Sequence, residues 1–146
     1  MKASTLLTVL PLAALGIVLG ISAYTFYFAR GYSYLSNNPD ACVNCHVMKD
    51  KFDAWQVSPH RFALCNDCHV PHNLIGKYAT KMEHGIRHSY VFTFGNPQVI
   101  RLKKSGEAIV EGNCIRCHET MVSKIFHGFK GDRRCFDCHR GMGHAF

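Results

Sequence analysis

The hydrophobic pattern sets the start of the chain apart. From Ser4 to Ala29 no charged residue occurs, and Lys2 and Arg30 bound the run. It exceeds the ~20 residues with which a helix crosses a bilayer. Tyr24, Phe26, Tyr27 and Phe28 gather at its far end, where interfacial aromatics belong. A cleaved export signal would carry an apolar region of only ~7–15 residues and a small-x-small cleavage site. Here "GISAYTFYFARG" offers only a weak site. The pattern predicts an uncleaved single-pass anchor over 1–30 and one domain over 31–146. A second periodic segment is "NLIGKYATKMEHGIRHSYVFTF", residues 73–94. Lys77, Lys81, His84 and His88 recur there at i, i+4, i+7 and i+11, one stripe of a helix. Gly76 and Gly85 weaken its regularity. Tyr90, Phe92 and Phe94 then alternate, which suits either internal packing or contact with a bilayer surface. "SNNPDAC", "GNPQ" at 95–98 and "GFKGD" at 128–132 read as turns.

Cysteine usage changes the picture of the remaining ~116 residues. All eight cysteines fall in four pairs, "CVNCH", "CNDCH", "CIRCH" and "CFDCH", with none left over. Disulfides are the ordinary fate of cysteines in a small exported chain, but C-x-x-C followed at once by His is the c-type haem attachment signal. Zinc is the rival. Cys42, Cys45, Cys65 and Cys68, and likewise Cys114, Cys117, Cys135 and Cys138, have spacings inside the zinc-ribbon range. Four-cysteine zinc sites have no use for a histidine after each pair, so the reading is four covalent haems. With so many porphyrins in so short a domain, the porphyrins become the core. The expected fold is mostly α with much irregular structure: one transmembrane helix, then a compact tetrahaem c-type cytochrome domain with almost no sheet.

The net charge of +7 would suit nucleic acid or an acidic surface. Each haem brings two propionates, however, so four would bring the sum close to neutrality. No aromatic-interleaved basic pattern supports nucleic acid. Haems of this type are attached outside the cytoplasm, which places the domain in the periplasm and the anchor in the bacterial inner membrane. Lys2 on the inside agrees, though Arg30 weakens the asymmetry.

The motifs supply four proximal ligands, His46, His69, His118 and His139, and six histidines remain: His60, His72, His84, His88, His127 and His144. His72 lies too close after His69 to reach the opposite haem face and suits packing or a propionate. His144 cannot easily cap its own haem and suits the third. His60, five residues before Cys65, suits a more distant haem, the fourth. His127 fits a surface role as well as ligation. This leaves the second haem without a sixth ligand from this chain, and a Lys or His of a partner would complete it. In "CVNCHVM", Met48 competes with His46. On a regular helix residues two apart point ~200° from each other, so both cannot approach one face of a haem from an undistorted turn. The residues alone favour His46.

The N-terminal anchor, the four CxxCH motifs, "CVNCHVM", "WQVSPH" and "CNDCHVPHNL" together resemble the NapC/NirT family of membrane-anchored cytochromes, across essentially the whole chain. The methionine of "CHVM" and the total of four haems resemble its short members, the small subunits of cytochrome c nitrite reductase. The resemblance implies oxidation of menaquinol from the membrane pool and delivery of electrons to a periplasmic multihaem nitrite reductase catalytic subunit; the oligomeric state stays open. It implies that Met48 replaces His46 on the first iron, with a quinol pocket alongside. Lys81 matches the family's pocket lysine, and His88 stands where the family has an acidic residue or histidine. His60 and His144 match distal ligands; His84 and His127 match nothing. Methionine ligation raises haem potential, which would help a first acceptor. Two other functions remain in play: a quinol-oxidising hub for another reductase, and a tethered tetrahaem carrier without quinol chemistry.

Overall fold

The computed structural model describes residues 3–95, 100–124 and 133–144. The chain divides into two compact units, Met1–Ser36 and Asn37–Phe146, so the first unit runs beyond Arg30. It is built on α1, Ala3–Phe28. Within it Thr5–Phe28 has a mean hydropathy of 2.3. Its 24 residues rise ~36 Å at ~1.5 Å each, enough for a hydrocarbon core of ~30 Å. Thr25 turns its hydroxyl back to the Ile21 carbonyl at 2.7 Å, which keeps a polar group satisfied inside an apolar helix. Tyr24 and Phe28 stack at 5.6 Å where the helix ends. The chain then leaves the helix through Arg30 in the left-handed region, φ 52°, into a 3-10 turn, Gly31–Leu35. Glycine suits position 31, because a Cβ there would lie 2.4 Å from the Phe26 ring.

The second unit is made of short helical pieces, with no strand among the described residues. In order these are 3-10 turns Pro39–Asn44 and His46–Met48, α2 (Lys49–Gln56), α3 (Cys65–His69), α4 (Leu74–Phe94), α5 (Lys104–Val122) and α6 (Cys135–Cys138). Among the described residues Val70, 4% exposed, and Pro39 are the buried apolar side chains. The polypeptide supplies almost no core of its own, in keeping with a domain that packs around prosthetic groups.

Local polar chemistry fixes the short helices. A five-residue helix such as α3 cannot hold itself by propensity. The Asp67 carboxylate reaches back to accept from the Leu64 N–H at 2.9 Å. The fourth motif repeats the device: Asp137 accepts from the Arg134 N–H at 2.8 Å. Both aspartates occupy the same place, in "CNDCH" and "CFDCH". α4 is opened by the Asn73 side chain, which accepts from Gly76 N–H at 2.6 Å. It runs unbroken through Gly85 to Phe94. The alternating aromatics are therefore helical neighbours: His88 meets Phe92 at 6.1 Å and Tyr90 meets Phe94 at 5.3 Å, the i, i+4 relation.

Candidate haem-binding centre

Three of the four CxxC pairs lie on helix. Cys65 and Cys68 are in α3, Cys114 and Cys117 in α5, and Cys135 and Cys138 in α6. Each helical turn presents both sulfurs on one side. The histidine that follows then leaves or ends the helix: His118 has φ −106°, ψ 16° inside α5, and His139 has φ −91°, ψ 60° after α6. That departure lets an imidazole swing beneath a porphyrin held by the two sulfurs. The first motif differs. Cys42 sits in one 3-10 turn, Cys45 is extended at φ −97°, ψ 117°, and His46 to Met48 form a second turn. His46 is exposed and Met48 half-buried. The chain thus breaks from helix just where a methionine two residues past the histidine would need it to.

All eight cysteines are free. Among the described residues no three Cys, His, Asp or Glu side chains converge on one point, as four-cysteine zinc would require. The sites adjoin in chain order instead. The Cys42 and Cys65 thiols hydrogen-bond. As a pair they lose the first proton early: that bond, with Lys81 adding to it, holds Cys42 down at about 7 against the effect of burial. Burial pushes Cys68 up, with Asp67 and Cys117 adding to the shift. Cys135 is pushed up to about 12 by burial first, then by Glu111 and Cys114. First meets second, second meets third, and third meets fourth. Glu111 on α5 ties the last junction, accepting from Cys135 N–H at 2.8 Å and from its Sγ at 3.0 Å. Arg134 pairs with Glu107 beside it.

The histidines pair across these sites. His69 and His144 lie parallel, interplanar angle 7°, with ring centres 6.0 Å apart. His60 and His118 are also 6.0 Å apart, nearly perpendicular at 76°. Metal–imidazole bonds run ~2.0–2.1 Å, and a ring centre lies about 1 Å behind its nitrogen, so two imidazoles sharing one ion stand ~6 Å apart. Two expectations from sequence therefore change. His144 comes to the second motif rather than the third, because the chain reverses after His139 through Gly141 at φ 77°. A second imidazole of this chain thus faces His69. His60 comes to the third motif rather than the fourth, because its loop is pinned: Trp55 Nε1 donates to the His60 carbonyl at 3.2 Å and the Ala63 carbonyl at 3.0 Å. His60 Nδ1 donates to the Met142 carbonyl at 3.1 Å, which leaves the lone pair on Nε2. Burial holds His69 down at about 4, helped by His144 and His84, so the imidazole is neutral at neutral pH. His139 is exposed. His72 Nε2 lies 3.1 Å from the Asp67 carbonyl and 2.6 Å from Arg116 Nη2. His127 lies outside the described residues.

The stripe on α4 is where periodicity placed it. Lys81 is 8% exposed, the one buried charged side chain among the described residues. Burial lowers its pKa, Lys77 lowers it further, and Cys42 opposes them. Lys81 and Cys42 each shift the other's titration, so the two side chains lie within electrostatic reach of one another. One turn on, His84 and His88 stack at 5.9 Å. Burial pulls both imidazoles below their ordinary value, and His84 adds to the shift at His88. Glu83 contacts His84 Nε2 at 3.5 Å and pairs with Lys103. A groove of about 470 Å³, lined by Ala79, Met82, Ile86 and Arg87 among others, opens on the other side of α4, away from Lys81.

Sequence reasoning passed over Asn113, Trp55, Asp67, Asp137 and Glu111, which hold the motifs in place. The shared Asp in two of the four motifs was a usable signal; nothing local distinguished Asn113.

Residues 2–99 match the family model described as "NapC/NirT cytochrome c family, N-terminal region". The chain is 35% identical to the cytochrome c-type protein NrfH of Wolinella succinogenes, over 99% of this chain and 90% of that protein. It is also 35% identical to the cytochrome c nitrite reductase subunit NrfH of Nitratidesulfovibrio vulgaris, over 88% and 80%. A crystal structure of the cytochrome c nitrite reductase NrfHA complex bound to the inhibitor HQNO contains a chain of the same fold. The TM-score is 0.65 at 32% identity, covering 94% of this chain and 90% of that one. With four haem-attachment turns, paired imidazoles and an apolar N-terminal helix long enough to cross a membrane, the chain belongs to the NapC/NirT cytochrome c family.

Proposed function

We propose that this chain is the membrane-anchored quinol dehydrogenase subunit of a cytochrome c nitrite reductase complex, spanning the inner membrane with its haem domain in the periplasm. The observation that carries this reading is Lys81, a buried lysine on the α4 stripe within electrostatic reach of Cys42 in the first haem-attachment motif. In a low-dielectric setting an ammonium is a strong donor to a developing quinolate oxygen. Menaquinol gives up two electrons and two protons. His84 and His88, held neutral by burial, are placed one and two turns beyond Lys81 to take protons, and Glu83 beside His84 offers an onward acceptor. Four c-type haems, bound through the eight cysteines, supply one-electron acceptors in series.

The chain's own residues set the ligation. Met48 takes the attachment-side position at the first site, which the extended Cys45 makes sterically open to it, and His46 turns to solvent. His69 with His144 and His118 with His60 hold the second and third irons. His139 holds the fourth, whose other face is the place for a ligand from the partner subunit. Nitrite reductase is favoured as that partner over another reductase because the similar solved chain belongs to the NrfHA complex. The test is purification from membranes. Nitrite reductase should copurify, and menaquinol should reduce the complex. Isolation with a different reductase would move the reading to the hub function. Reduction by dithionite but never by quinol would move it to a tethered carrier.

A further inference from the structure

Asn113 is one of three buried polar or charged side chains among the described residues, 8% exposed. It stands on α5 one residue before Cys114. Its amide donates both hydrogens from Nδ2, to the Cys68 carbonyl at 2.9 Å and to the Val70 carbonyl at 3.0 Å. Those two carbonyls bracket His69. One turn further along the same face of α5, Arg116 Nη2 lies 2.6 Å from His72 Nε2. Residues 68–72, which carry the second haem's imidazole and the buried Val70 side chain, are thus gripped by a single turn of the helix that carries the third haem's cysteines. Only a primary amide fits this node. The carbonyls demand two donors from one short side chain, which aspartate, leucine and serine cannot supply.

We propose that Asn113 is the positioning residue for electron passage between the second and third haems. It locks the His69 turn to α5, and so sets the orientation of the His69–His144 plane against the third site. A change in that node should alter the second haem without touching its bonds to the chain. The inference rests on the haem ligation proposed above but not on quinol chemistry.

The test uses the full-length haem-loaded protein in detergent, reduced with dithionite so that quinol reactivity plays no part. In Asn113→Asp two carbonyl oxygens would face a carboxylate. The expected result is four haems per chain still bound, with one low-spin electron paramagnetic resonance signal shifted and one midpoint displaced in a redox titration, the other three unchanged. Asn113→Ser, which retains a single donor, should move the same signal less. Four haems with spectra and midpoints identical to wild type in both variants would overturn the proposal. So would a change confined to a haem other than the second or third. Should Asn113→Asp fail to accumulate, Asn113→Ser alone decides between these outcomes. A protein in which the second haem signal proves not to be bis-imidazole at all, before any substitution, refutes the ligation rather than the role of Asn113.

Discussion

Replacing Lys81 by Met removes the ammonium while keeping an unbranched side chain of similar length. Lys81 is 8% exposed, so its charge sits mostly out of water. A hydrogen bond from a charged donor contributes ~1.5–3 kcal/mol. At ~1.4 kcal/mol per tenfold change, losing it should lower kcat/KM for menaquinol by ~10- to 150-fold. Stability should move the other way or stay level, since a buried ammonium disfavours the folded state and Lys77 nearby repels it. The assay is stopped-flow reduction of the purified complex, once with a menaquinol analogue and once with dithionite, beside a thermal melt. Lys77→Met serves as control. It removes a like charge from the same helix face, so Lys81 should hold its proton more firmly and quinol reduction should remain within a few-fold of wild type. Wild-type quinol kinetics in Lys81→Met would refute the argument. A loss with dithionite as large as with quinol would assign Lys81 to haem support instead.

Met48→Ala should change the spectrum of one haem in four while His46→Ala leaves it intact; the reverse result assigns the first iron to His46. His144→Ala should convert the second haem from low to high spin, read by visible and electron paramagnetic resonance spectra, because its ring is the one that faces His69. Since His60 and His118 lie near-perpendicular and His69 and His144 parallel, the two low-spin signals should differ, the former more anisotropic; two indistinguishable signals would contradict these planes. Quinol-dependent reduction should persist below pH ~6.5, the ordinary imidazole value, and fall only at lower pH. Burial lowers the affinity of His84 and His88 for protons, so they stay free to accept one after an exposed imidazole would be charged. A fall centred above pH 6.5 would count against them as the acceptors.

How far the sequence could be read differs from residue to residue, and the difference has a physical source. The anchor was legible because a bilayer imposes a length and a polarity that a linear string records directly. The CxxCH turns were legible for a like reason: a haem-attachment signal needs both sulfurs and the imidazole within one turn, so the whole requirement is local. The stripe through Lys81 and His88 followed from helical period alone, although two glycines argued against it; together they cost the helix about 2 kcal/mol, which a capped 21-residue helix absorbs. The distal histidines were not legible, because a sixth ligand arrives from wherever the chain returns. Counting residues to the nearest motif sent His144 to the third haem and His60 to the fourth. What decides their destinations is a left-handed glycine at 141 and a bifurcated bond from Trp55, neither of which is written as distance along the chain. One consequence follows for the partner. On the ligation proposed, the open coordination position would lie not at the second haem, inside the series, but at the fourth, at its end, where His139 is exposed. A ligand donated there by another subunit would sit at the electron exit. Spectra of the isolated chain should therefore show one more high-spin haem than the complex, and His144→Ala should add a second to the isolated chain.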